Sequence, residues 1–231
     1  MSGRRFYNNN VPIPTDYILS YDLEDDLFDR SINANNGVVV TNLPTLTTKD
    51  GKKCASFNGS QSFRTTSMIT VNKTFTLSFK IWSAQTTSAI IAELSANFNS
   101  NVGFAVITGN NVTTKRLDIG VNIGGANYNL KSINSITTGA WHHIVGLYDS
   151  ERSVNVGSGA DNEEWFIYKD GIEGSIKTSH TYNNSNFTTT KTLYVGQRAG
   201  TSSGFIGFLR KFRIYPRTIS NGEILALNKE E

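Results

Sequence analysis

The sequence predicts an all-β chain, a sandwich of antiparallel strands with a single short helix at its C-terminal end. Three observations carry this. Short runs of alternating or apolar residues are separated by turn signals. The chain of 231 residues holds 25 Asn and 25 Thr, types that suit tight turns and exposed strand faces. Helix-start chemistry is convincing at only one place, near residue 220.

The elements follow in order of strength. Phe75–Ile81 alternates perfectly, with Phe75, Leu77, Phe79 and Ile81 on one face. Trp141–Tyr148, Trp165–Tyr168, Leu193–Gly196 and Phe205–Tyr215 are further strands; Asp170-Gly171 stops the second of these four and Pro216 the last. Weaker candidates are Tyr17–Leu23, Val38–Val40, Ala89–Leu94, Gly103–Ile107 and Leu117–Ile123. Ser220-Asn221-Gly222-Glu223 is a capping box that opens a helix over Asn221–Asn228, with Ile224, Leu225 and Leu227 on its apolar side. Ser150–Glu163 and His180–Thr190 are long polar loops.

Composition excludes several classes. A net charge of +3, with cations scattered, does not argue for nucleic acid. No apolar run approaches the roughly 18 residues of a membrane helix. Arg4 and Arg5 have no apolar segment behind them, so Met1–Thr15 is not a secretory signal. The single cysteine, Cys54, cannot form an internal disulfide and sits in a strand-like run as a small hydrophobe.

Several segments in a fixed order resemble one family. They are Tyr21-Asp22-Leu23 before Asp29–Gly37, then Ala55–Ser60, Trp141–Val145, Tyr168–Gly171, Tyr194–Gly196 and Gly207–Arg217 leading to Ile219-Ser220 and Glu223-Ile224. This pattern is similar to the laminin-G-like, concanavalin-A-like domains and spans residues 16–228. The resemblance implies a two-sheet antiparallel jelly-roll. It implies a domain at 16–231 preceded by an arm at 1–15. It does not settle function, because lectins, adhesion modules, structural modules and some hydrolases share the architecture.

The chemistry argues against catalysis. Hydrolase relatives carry paired acids as Glu-x-Asp-x-Glu on one strand, and neither that spacing nor its one-residue variant occurs here. His142 and His143 are adjacent on a strand and face opposite ways, one into the sandwich and one outward. No Ser/His/Asp arrangement or Cys/His metal spacing can be read. No cofactor is expected, calcium being the one ion to weigh. The resemblance places its ligands at Asp29, Asn33 and Asn36, which offer oxygens. Relatives often add acids where this chain has Arg210 and Lys211, two cations able to pair with Asp29 in place of an ion.

Sugar binding needs aromatic platforms, for which Trp82, Tyr128 and Trp165 are the candidates; the competing reading of each is core or sheet-face packing. An adhesion-type domain with neither export signal nor second module is the expected form of a bacteriophage virion protein, in a tail, fibre or capsid decoration. Its partners would be other virion subunits or further copies of the chain, and a cell-surface glycan. The rival expectation is a cellular, extracellular carbohydrate-binding or adhesin module. Arg4, Arg5, Phe6 and Tyr7 are the expected anchors of the arm in an assembly, with Pro12 and Pro14 stiffening it.

Overall fold

The computed structural model describes residues 11–83, 85, 87–109, 116–124, 128–133, 136–150, 164–180, 187–199 and 202–231. It is mostly β, with two eight-stranded antiparallel sheets, a two-stranded ribbon and one helix. The alternating segment becomes β7 (Thr74–Ser83), at the middle of the first sheet. Its neighbours are β12 (Trp141–Asp149) and β18 (Ile206–Tyr215). Beyond β12 lie β13 (Trp165–Lys169) and β14 (Ile172–Glu173). Beyond β18 lie β4 (Lys52–Asn58) and β3 (Thr45–Lys49), and β1 (Leu19–Tyr21) also pairs with β18.

The second sheet runs β15 (Ser175–His180), β11 (Tyr128–Ile133), β10 (Arg116–Asn122), β9 (Gly103–Gly109), β8 (Ala89–Glu93), β17 (Tyr194–Val195), β5 (Phe63–Thr65) and β2 (Gly37–Val39). The ribbon pairs β6 (Ile69–Val71) with β16 (Thr189–Lys191), an addition to the two sheets expected.

Strand period fixes the core. Phe75, Leu77, Phe79 and Ile81 are all buried on the inner face of β7. Phe75 stacks on Phe104 of the facing sheet at 5.5 Å between ring centres. A side chain at Gly146 would meet Ile119 Cδ1 at 2.8 Å, so glycine lets β12 approach the opposite sheet. Along β18 the register shifts between Arg210 and Arg213, where Lys211 adopts a φ of 53°. That bulge takes up one residue and lets Leu209, Phe212 and Ile214 all bury, while Arg210 and Arg213 share the other face. The turn pair Asp170-Gly171 has φ of 55° and 81°, the left-handed backbone its sequence predicts.

The helix α1 (Asn221–Lys229) carries both halves of its capping box: Glu223 N–H donates to Ser220 Oγ at 3.3 Å, and Ser220 N–H donates to Glu223 Oε2 at 2.7 Å. Ile224 and Leu227 pack with Val145, Leu147, Tyr215 and Ile219 on the outer face of the first sheet. This cover explains why β12 is apolar on both faces. The arm's last residues also meet the domain, since Pro14 is buried and Val11 lies close against Gly222.

Candidate functional site

The rim of the sandwich is organised by one carboxylate. Asp29 Oδ1 accepts the backbone N–H groups of Ser20 at 2.8 Å and Ser31 at 2.9 Å. Its Oδ2 accepts Ser31 Oγ–H at 2.6 Å and the Asn35 N–H at 2.8 Å. A carboxylate offers about four lone-pair sites, and all four are taken. The loop is then tied outward. Tyr21 O–H donates to Asn35 O at 2.6 Å. The Asn35 carboxamide donates to Ser67 O at 2.9 Å and accepts Ser67 N–H at 2.8 Å. Thr66 donates to Asn36 O through both N–H and Oγ–H, at 3.1 and 2.7 Å.

These bonds hold the 31–36 loop beside the 65–70 segment, and a groove of about 330 Å³ opens between them. Ile18, Asn33, Asn35, Ser67, Met68, Ile69 and Thr70 line it. Carboxamides and hydroxyls alternate with apolar groups, and no lining residue is charged. Met68 is 65% exposed, and Ile32, in the same loop as Asn33, is 98% exposed. The Thr70 and Thr190 hydroxyls are hydrogen-bonded at 2.8 Å.

The three residues expected to hold calcium are therefore together, but in other roles. Asn36 Oδ1 accepts the Asp29 N–H at 3.0 Å, and Asn33 Nδ2 donates to Ile18 O at 2.9 Å. An ion would have to displace the four hydrogens on Asp29. Among the described residues no group of three or more His, Cys, Asp or Glu side chains could hold a metal. The pairing expected of Arg210 and Lys211 is corrected too. Arg210 binds Glu24 at 2.9 Å, and Lys211 binds Glu24 at 3.0 Å and Asp22 at 3.5 Å, because the bulge turns both to the outer face.

Two of the aromatic candidates also change place. Trp165 is fully buried, packed 5.0 Å from Tyr148 and 5.6 Å from Phe75, so it is core and not a sugar platform. It follows Glu164 into β13 on the inward phase, opposite Tyr148 of β12. Trp82 is half-buried on the outer face, in register with Trp141 and Phe208. Lys49 Nζ lies 4.5 Å over its ring and occupies that face. Tyr128 opens β11, and its side chain lies outside the described residues. So do Arg4, Arg5, Phe6 and Tyr7, and most of the two long loops.

One imidazole–carboxylate pair has the outline of catalytic machinery. His142 Nδ1 lies 2.8 Å from Asp170 Oδ2. Its Nε2, however, accepts the Thr137 N–H at 3.1 Å, which leaves no free base. His143 was expected to be the other of an inside–outside pair, yet both rings are buried, because α1 and the chain end cover the outer face. Burial, with Lys80 beside it, pushes the His143 imidazole down to about 4. Its Nε2 lies 3.0 Å from Ser78 Oγ.

Comparison with known proteins agrees with this architecture. The family model for concanavalin A-like lectins and glucanases matches residues 57–225. The chain belongs to the concanavalin A-like lectin/glucanases superfamily. Among solved structures this concanavalin A-like chain is similar to domain 4 of an extracellular arabinanase from Geobacillus stearothermophilus, in complex with arabinotriose. The TM-score is 0.64 at 16% identity, over 93% of this chain and 98% of that one. It is also similar to the botulinum neurotoxin serotype D ligand binding domain in complex with N-acetylneuraminic acid. That match has a TM-score of 0.62 at 16% identity over 94% of this chain, which spans 51% of the toxin domain. A pentraxin from Limulus polyphemus matches with a TM-score of 0.53 at 14% identity, over 75% of this chain and 80% of that one. No curated protein matches the sequence. No helix among the described residues is long and apolar enough to cross a membrane.

Residues 35 and 67–70 escaped the sequence reading. Their role depends on a contact between Asn35 and Ser67, 32 positions apart, that no periodicity reports. The surviving signal was the polar run Ser31–Asn36 itself.

Proposed function

We propose that this concanavalin A-like domain is a non-catalytic carbohydrate-binding module whose ligand lies in the groove between the 31–36 loop and β6. The observation that carries this is the lining: amide and hydroxyl groups set among Ile18, Met68 and Ile69. Sugars present hydroxyls at their edges and C–H groups on their faces, and this alternation suits both. A volume of about 330 Å³ lies at the small end of ligand sites and fits one or two sugar units. No carboxylate lines the groove, so the acid pair of glycoside hydrolysis has no counterpart there. The arabinotriose and N-acetylneuraminic acid bound by the two structural relatives support the reading by analogy of fold.

The setting we propose is the one expected from the sequence, a bacteriophage tail, fibre or capsid decoration that adheres to a host glycan. A cellular adhesin is the rival setting for the same binding chemistry. A glycan array tests the activity: reproducible retention of an oligosaccharide supports it, and a blank array with folded protein contradicts it. Mass spectrometry of purified particles tests the setting. Deleting residues 2–10 tests the arm, since loss of assembly without loss of fold is the expected result.

A further inference from the structure

Resting on that reading of the groove, we infer that it selects uncharged glycans and disfavours acidic ones, and that Asp29 is the specificity-determining residue. Among the described residues, three of the four buried carboxylates show the contrast. Glu93 is matched by Arg198, 3.2 Å from its Oε2. Asp118 is matched by Arg116 at 2.7 Å. Asp29 is 7% exposed and, among the described residues, has no cation within ion-pair distance. Its neighbour Arg30 turns to Asp26 at 2.9 Å and Asp22 at 3.6 Å. Asp29 is held entirely by neutral donors, which spread its charge without cancelling it.

That charge stands directly behind the groove wall. Asn35, a lining residue, donates its N–H to Asp29 Oδ2 at 2.8 Å. Asn33, another lining residue, donates its N–H to Ser31 Oγ at 3.2 Å, and Ser31 Oγ–H donates to the same Oδ2 at 2.6 Å. The donors nearest a bound ligand are therefore already turned inward to the carboxylate. No lining side chain offers a cation to an acidic sugar. Lys191 of β16 pairs in register with Ile69, but it is exposed and is not part of the lining. A sugar carboxylate placed here meets a negative charge that no cation among the described residues pairs, across a low-dielectric wall, whereas a hydroxymethyl group does not.

The test is an array that pairs each hexose oligosaccharide with its hexuronic counterpart, which differs only by a carboxylate in place of a hydroxymethyl. It is run with the full chain at low and high salt. The expected result is retention of neutral members, with acidic counterparts weaker by on the order of tenfold at low salt and closer at high salt. Ile32→Lys, which adds a cation on the exposed loop beside Asn33 while leaving the lining and the Asp29 bonds in place, is expected to narrow the difference. Equal or tighter retention of the acidic members at low salt overturns this inference and leaves carbohydrate binding standing. Retention of neither class overturns both.

Discussion

Asp29 Oδ2 accepts the backbone N–H of Asn35 at 2.8 Å, and this bond sets the floor of the rim. Asn35 is thereby positioned to clamp Ser67 with both ends of its carboxamide. The chain from β1 to the groove thus runs through one buried anion. Calcium-binding relatives were expected to use this position for a cation. Here backbone and hydroxyl hydrogens fill its lone pairs and leave its charge in place.

Asp29→Ala leaves two backbone N–H groups at Ser20 and Ser31, one at Asn35 and the Ser31 hydroxyl without their acceptor. We expect a loss of about 3 kcal/mol in urea unfolding, since unsatisfied buried donors cost about 1–3 kcal/mol each and local relaxation recovers part. An unchanged midpoint would show that the knot is not structural.

Because the four acceptor sites are filled, chelator is expected to leave the melting temperature unchanged within error. A drop restored by calcium, and absent in Asp29→Ala, would show that the ion does enter the loop.

Trp165→Ala is expected to cost about 3–5 kcal/mol, the range for removing a fully buried aromatic. Glycan retention by the folded fraction is expected to persist. A stable variant that has lost glycan retention would return Trp165 to the binding surface.

His143 gives the stability curve an acid limb. Burial lowers its imidazole from 6.5 to about 4, with Lys80 and Arg213 acting in the same direction and Asp170 and Glu230 opposing. Between these values the unfolded chain binds more protons than the folded one, so stability rises with pH. The contribution is complete above 6.5 and is lost as pH falls toward 4; it amounts to about 2 kcal/mol by about pH 5. His143→Gln is expected to flatten the urea midpoint between about pH 5 and 7. An equally steep wild-type and variant profile would assign the acid limb to other groups.

The parts of this molecule that were legible in the sequence are those fixed by local period or local capping. β7 declared itself by alternation, α1 by Ser220 and Glu223, and the β13–β14 hairpin by Asp170-Gly171. Trp165 stays open between platform and core in the sequence because a tryptophan at a strand start reads the same in either phase; only the pairing with Tyr148 fixes it inward. Asp29, Asn33 and Asn36 are legible as a cluster, while the hydrogen bonds they make are not. A sequence shows oxygen acceptors, while the backbone donors that claim them appear only once the loop is folded. The bulge at Lys211 is likewise invisible locally, and it decides which acids Arg210 and Lys211 reach.

The most direct test of the central claim is titration calorimetry of the best-retained glycan against the double variant Asn33→Ala/Met68→Ala, with Trp82→Ala as the comparison. Both altered groove residues are exposed lining positions outside the core, so the fold should persist. The groove reading predicts binding weakened at least about tenfold in the double variant, equivalent to about 1.4 kcal/mol, and wild-type affinity for Trp82→Ala. Unaltered affinity in the double variant would contradict it, and loss of binding in Trp82→Ala alone would place the glycan on the outer sheet face instead.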